Sequence, residues 1–422
     1  MKVLIKKATI LDAGSKYHKQ TKDLLIENGV IVNIADSIDS ADAEIFKAEN
    51  LHLSQGWTDL NTRFGEPGYE YKEDLNSGMT AAAQGGFTHI ALMPSTKPCI
   101  QSKSDVSFLI NQSAHHIVDI HPIGALTENR KGEQITEMFD MYKSGAIAFS
   151  DDKRSIANAS LMKIAMLYAK NFDGLIMSFS SEKKIAQQGQ MNEGITSTKL
   201  GLKGMPTIAE EIQLARDLQL CEYTEARVHF STLSTAESVK LIRNAKAKGL
   251  NVTADTSSYH LLLNDTELES FNSNLKVNPP LRSSKDIKAL KAALKDGTID
   301  AICSDHYPQN IENKKCEFDI AAFGMINLET SFAAANTALK ETLSTEELIT
   351  KLTSTPKAIL GLDSQTIEEG NLADLTLFDP ELKWTYREKD IVSKSKNSAL
   401  TEKTFVGKAL AIANNGQFVT CK

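Results

Sequence analysis

From Leu53 to about residue 360 the chain repeats one rhythm: a short apolar run, a turn, then a longer stretch with helical spacing. The apolar runs end near Asp59 and at Ile90–Met93, Ile123–Ala125, Ala146–Ser150, Leu175–Phe179, Val228–Thr232, Val252–Thr256 and Ala301–Ser304. Helical stretches such as Ile208–Cys221 and Ala236–Ala247 lie between them. Short unbroken apolar runs suit strands buried on both faces, and parallel strands need long crossovers that helices supply. Roughly eight such units over about 300 residues predict a TIM (β/α)8 barrel, an α/β fold.

The two ends of the chain have a different rhythm. Residues 1 to about 50 alternate apolar and polar in short runs, and Asn28-Gly29 is a strong hairpin signal. After Gly361 this pattern returns. Gly370–Pro380 reads as a strand closed by an Asp-Pro turn, and Asn414-Asn415-Gly416 joins two further short runs. The ends together predict a small β-sandwich beside the barrel. The expected division is 1–50 and 363–422 for the sandwich and 51–362 for the barrel, with linkers near 46–52 and 361–369.

Bulk properties narrow the function classes. A chain of 422 residues has room for a large barrel and an accessory domain. A net charge of -7 offers no basic footprint for nucleic acid. No apolar run is long enough to span a membrane, and the N-terminus reads as a first strand rather than a signal peptide. The five cysteines are scattered and contain no C-x-x-C pair, which fits a reduced, cytoplasmic location.

Chemistry in such a barrel belongs at the C-terminal ends of the strands. The first strand end reads G-W-T-D-L-N-T-R-F-G-E-P-G from Gly56 to Gly68. Asn61 and Arg63 are two residues apart, which on a strand places both on one face. This stretch resembles the first metal motif of the dihydroorotases, D-L-H-x-H-x-R-E-P-G, within the amidohydrolase superfamily. Asp59, Leu60, Glu66, Pro67 and Gly68 keep the frame, while Asn61 and Arg63 stand at the two histidines and Gly65 at the arginine.

The resemblance continues through the chain. Ala148–Asp152 matches A-F-S-D-D-G up to its last residue, where Lys153 replaces the glycine. Phe179 stands at a histidine ligand, with the following Met191-Asn192-Glu193-Gly194 intact. His229–Thr235 is similar to H-x-x-H-V-S-T, with Thr232 at the ligand. Ser304–Gln309 is similar to T-D-H-A-P-H, keeping Asp305 and ending in Gln309. The family uses two metal ions, zinc in active members, to activate water and polarise the amide carbonyl, with an aspartate moving the proton. Here the ligand positions Asn61, Arg63, Phe179 and Thr232 are degenerate. An arginine has no lone pair to offer a metal. No metal or other cofactor is therefore expected, and Asp152 and Asp305 read as vestiges of the catalytic set.

Substrate contacts are thinned too. The family's carboxylate grip falls at Gly65 and Ser95, while Asn278 and Phe323-Gly324 are kept. The remaining histidines, including His89, His229, His260 and His306, lie outside the ligand positions. Two unpaired carboxylates in a barrel mouth would repel and cost stability. Arg63 is expected to pair with Asp305, Asp152 or both as a bidentate fork.

The resemblance therefore implies a dihydroorotase homologue that has lost catalysis and serves an assembly or regulatory role. Its implied partner is aspartate transcarbamoylase, and a homodimer is the default assembly. The alternative is an active cyclic amidohydrolase that opens dihydroorotate with a rebuilt site. A further alternative is a small-anion sensor whose pocket is lined by Asn61, Arg63, Thr232 and Asn278.

Overall fold

The computed structural model describes all residues, Met1–Lys422. Eight parallel strands form the barrel: Trp57–Thr62, Phe87–Leu92, Asp119–Gly124, Ala148–Phe149, Leu175–Phe179, Val228–Ser231, Val252–Ser257 and Ala301–Cys303. Each pairs with the next in sequence order, and a parallel bridge between Thr62 and His306 joins the last unit to the first. Every residue of Trp57–Thr62 and of Leu175–Phe179 is buried, as strands covered on both faces require.

Two apolar layers hold the barrel. Inside, Leu60, Met93, Ile123, Leu175, Met177 and Cys303 pack with Ile359 and Leu360 of the helix Ser354–Leu360. Outside, the strands meet the helix ring in a core of 56 buried residues. The Ile208–Cys221 stretch lies in a helix that runs on to Thr224, and Ala236–Ala247 is a helix as expected.

The chain ends form one mixed eight-stranded sheet. Strand Lys2–Ile10 stands near its centre, and the hairpins turn at Asn28-Gly29 and Asn415-Gly416. Residues from both halves of this sheet, among them Ile5, Leu24, Leu53, Leu377 and Ala411, meet in a single core.

Two expected boundaries shift. His52–Gln55 belongs to the terminal sheet, pairing with Lys2–Ile10 and with Leu375–Thr385. Only Gly56 separates it from the first barrel strand, so the sequence rhythm runs the two strands together. A Cβ at Gly56 would lie 1.9 Å from Asp374 Oδ1, which explains the glycine at this crossing. The segment 386–402 also leaves the sheet and returns to the barrel. There Gln309 N donates to Asn397 Oδ1 at 3.0 Å and Ser393 Oγ donates to Glu73.

His89 sits near the start of its strand, at the end of the barrel remote from the mouth. Its Nε2 is 2.9 Å from Asp374 Oδ2, tying the barrel floor to the terminal sheet. No helix is long and apolar enough to cross a membrane.

Candidate functional site

Three strand ends deliver their polar residues through strained backbone. Asp152, Thr232 and Asp305 have φ of 55°, 56° and 50°, in the left-handed region that side chains other than glycine rarely adopt. Neighbouring side chains hold these turns. Asp152 N donates to Ser150 Oγ at 3.0 Å, Thr232 N to Asp255 Oδ1 at 2.6 Å, and His306 N to Ser304 Oγ at 3.1 Å. Strain of this kind is retained where surrounding structure enforces it, commonly at functional sites.

Arg63 extends from the first strand end into the space between the two aspartates. Its Nε lies 2.9 Å from both oxygens of Asp152, and Nη1 donates to Asp305 Oδ1 at 2.8 Å. Nη2 donates to Asn61 Oδ1 at 2.8 Å. The ring of Tyr307 covers the guanidinium, 4.8 Å from its carbon. The arginine and both aspartates are almost wholly buried.

A second cation enters from the fourth strand end. Lys153 Nζ lies 2.8 Å from Asp305 Oδ1 and 3.1 Å from Thr232 Oγ1. It also sits 4.8 Å from the centre of the Phe179 ring, within cation–π range. Tyr259 donates its hydroxyl to the other oxygen of Asp305 at 2.5 Å. Asn61, Arg63, Phe179 and Thr232 therefore share one structural result. Arg63 is itself a cation, Asn61 anchors it, and Phe179 and Thr232 hold Lys153.

The electrostatics follow from this arrangement. Burial works against the charge of Asp152, but Arg63, with help from Arg130 and Lys153, holds its carboxyl down to about 2. Burial likewise opposes Asp305, and Lys153 and Arg63 again win, keeping it below the usual carboxylate range. Arg63 loses from burial and gains more from the two carboxylates, so it stays protonated. Burial lowers Lys153, with Asp305 acting in the opposite direction.

This donor set does not fit a two-metal centre. The guanidinium and ammonium have no lone pairs for a metal, and the carboxylate oxygens face nitrogen and hydroxyl donors. Nowhere do three or more His, Cys, Asp or Glu side chains gather in a geometry that could hold a metal ion. His229 and His260 are tied to Asp255 and Ser257 at 2.9 and 2.6 Å.

The expected anion pocket is corrected by the packing. Asn61, Arg63 and Thr232 are buried within the ion cluster, and each nitrogen of Arg63 already has a partner there. Asn278 has no hydrogen bond to any of them. It lines a cleft of about 570 Å³ together with Lys153, Ser155, Gln190 and Phe323. Its Oδ1 is buried without a hydrogen-bond partner.

The residues that reasoning from sequence left without a role are Lys153, Tyr259, Tyr307 and Arg130. For Lys153 a signal was present, because a lysine replaces the motif glycine directly after Asp152. The other three carry no local signal. Tyr259 comes from the seventh unit, and only the closed barrel brings it to Asp305.

Comparison with known proteins agrees with this architecture. The sequence profile of the family described as Dihydro-orotase-like matches residues 52–238. Among solved structures, an L-hydantoinase (dihydropyrimidinase) from Arthrobacter aurescens superposes with a TM-score of 0.86 at 20% identity, covering 99% of this chain and 96% of that one. A dihydropyrimidinase from Brevibacillus agri gives 0.81 at 21% identity, covering 100% and 95%. At such identities the likeness shows the fold alone.

Two curated relatives are much nearer in sequence. The dihydroorotase of Ruminiclostridium cellulolyticum is 45% identical over 401 residues, covering 94% of each chain. That of Geotalea daltonii is 39% identical over 422 residues, covering 99% of each. Identity at this level, sustained from end to end, shows that the chain belongs to the dihydroorotase family.

Proposed function

We propose that this protein is a non-catalytic member of the dihydroorotase family with an assembly or regulatory role. One observation carries the reading. Arg63 bridges Asp152 and Asp305 at 2.8–2.9 Å where the family's metal chemistry needs lone-pair donors. Lys153 adds a second positive charge on Asp305. The cation pair thus supplies the charge that metal ions supply in the family. It cannot generate a metal-bound hydroxide.

A second reading has its own support. The relatives at 38–45% identity are named dihydroorotases, which favours an active cyclic amidohydrolase that opens the ring of dihydroorotate. End-to-end identity reports mainly on the scaffold, whereas activity depends on a handful of side chains. In that reading Asp305 would have to exchange Arg63, Lys153 and Tyr259 for substrate and metal.

One experiment separates the two. The protein is expressed with zinc and manganese supplied, its metal content is measured, and hydrolysis of dihydroorotate is assayed on the same sample. Near-zero metal without turnover supports the first reading. Stoichiometric metal with turnover abolished by Asp305→Ala establishes the second. The family resemblance suggests aspartate transcarbamoylase as the partner in an assembly role. Co-elution of the two purified proteins tests that partner, and separate elution at micromolar concentrations counts against it.

A further inference from the structure

We propose that the outer face of the helices following the third, fourth and fifth barrel strands binds a second copy of this chain. These helices are Met138–Lys143, Ala159–Lys170 and Ile208–Thr224. They hold less than a tenth of the chain but seven of its eighteen exposed large apolar side chains. An even spread would place about one or two there, whereas scattered single residues are what an unpartnered surface shows.

The spacing makes these side chains a face. Ile164 and Leu167 are three residues apart, and Ile208 and Ile212 are four apart, with Tyr223 about three turns further along the same line. The opposite sides of these helices are already used. Met162, Ala165 and Met166 of one, and Leu214, Leu218 and Cys221 of the other, pack in the barrel core. A helix apolar on two sides has a second face to cover. The three helices also lie side by side. Phe172, just past Ala159–Lys170, stacks at 5.4 Å on Phe139 and 5.1 Å on Tyr142, both exposed. On the other flank Thr224 Oγ1 reaches Met166 Sδ, and Lys170 pairs with Glu225 at 2.7 Å.

The next part of the helix ring is built differently. Ala236–Ala247 exposes Glu237, Lys240 and Arg243, and Ser284–Asp296 exposes Lys285, Lys288 and Lys295. Neither exposes a large apolar side chain.

Charge selects a second copy as the occupant. Ala159–Lys170 carries Lys163 and Lys170 and no acid, whereas Ile208–Thr224 carries Glu211 and Glu222 at its surface. Lys170 and Glu222 are paired within the chain, to Glu225 and Lys248. Lys163 and Glu211 have no ion-pair partner in the chain, and each borders its apolar stripe, beside Leu167 and Ile208. A two-fold axis that sets each Ala159–Lys170 helix on the Ile208–Thr224 helix of the other copy covers both stripes. It pairs Lys163 with Glu211 of the partner subunit, twice over, as an isologous interface does. At 41–73% exposure the seven apolar side chains present on the order of 600 Å², against roughly 800 Å² per partner in a standard interface.

This face lies outside the barrel, so the inference holds whether or not hydrolysis is lost. The test is the mass of the full chain in solution, by sedimentation equilibrium across micromolar concentrations. The wild type should sediment as a dimer. Leu167→Lys and Ile212→Lys should each weaken association at least tenfold, while Lys288→Glu, on the polar part of the ring, leaves it unchanged. Lys163→Glu and Glu211→Lys should each weaken it as well. Combined in one chain the two charge reversals should recover it, which damage to the fold could not produce. A monomeric wild type would overturn the proposal, as would a dimer unchanged by both Leu167→Lys and Ile212→Lys. A double reversal no better than the single ones would overturn the helix pairing.

Discussion

Arg63 and Asp152 meet along a full edge, with Nε 2.9 Å from each carboxylate oxygen and Nη2 donating to one of them. The same guanidinium turns its remaining nitrogen to Asp305. One side chain thus joins the ends of the first, fourth and eighth strands. Removing either sign of charge should be costly, because the other would remain buried and unpaired.

Arg63→Met should therefore destabilise the protein by about 3–5 kcal/mol, the range for breaking a buried ion pair. Chemical denaturation provides the measurement. Adding Asp152→Asn and Asp305→Asn to the same chain should recover much of the loss. A single variant as stable as the wild type would mean that the cluster does not support the barrel.

Acid should weaken the fold through Asp152. Its folded carboxyl titrates at about 2, below the ordinary value of 3.8. A depressed carboxylate contributes stability above its unfolded pKa and loses it as pH falls through the folded one. The contribution is about 2 kcal/mol at neutral pH, disappearing between roughly pH 4 and 2. In Asp152→Asn this component of the acid transition should be absent, as stability measured across pH 2–5 would reveal. An unchanged acid profile in that variant would contradict the assignment.

Gly65 stands where the family carries a substrate-gripping arginine, and the structure leaves no room for a side chain there. A Cβ would lie 2.0 Å from Tyr69 O and 2.9 Å from Glu73 O. Gly65 N donates to Glu73 O at 2.7 Å, so the loop cannot yield without breaking that bond. Gly65→Ala should cost about 1–3 kcal/mol, as overpacking does. A melting temperature equal to the wild type's would show that the loop relaxes freely.

On the proposed non-catalytic reading, stoichiometric zinc should bind only when the cation pair is removed together with its supports. Arg63→His alone keeps Lys153 against Asp305 and should take up no stoichiometric zinc. Combining Asn61→His, Arg63→His, Phe179→His and Thr232→His with Lys153→Gly restores imidazole ligands and frees both aspartates. That variant should bind zinc, measured by elemental analysis after dialysis. A folded variant without zinc would show that the scaffold, as well as the ligands, has departed from the family.

The alternation of apolar runs and helical segments placed all eight barrel strands, because a strand buried on both faces must be written as a short apolar block. The hairpins at Asn28-Gly29 and Asn414-Asn415-Gly416 were equally legible, since their backbone requires those residue types. Which side chains stand at the motif positions could also be read directly, because side-chain identity is a property of the sequence.

The partners of those side chains were settled only by tertiary structure. His52–Gln55 belongs to the terminal sheet because Leu375–Thr385, over 300 residues away, pairs with it. Arg63 was a legible candidate, but its engagement with both aspartates depends on 89- and 242-residue separations closed by the barrel. Lys153, Tyr259 and Tyr307 join the cluster for the same reason. Sequence determines which groups can carry charge and which segments must be buried. Closure of the barrel decides which charges meet, because a Coulomb contact depends on distance in space and not along the chain.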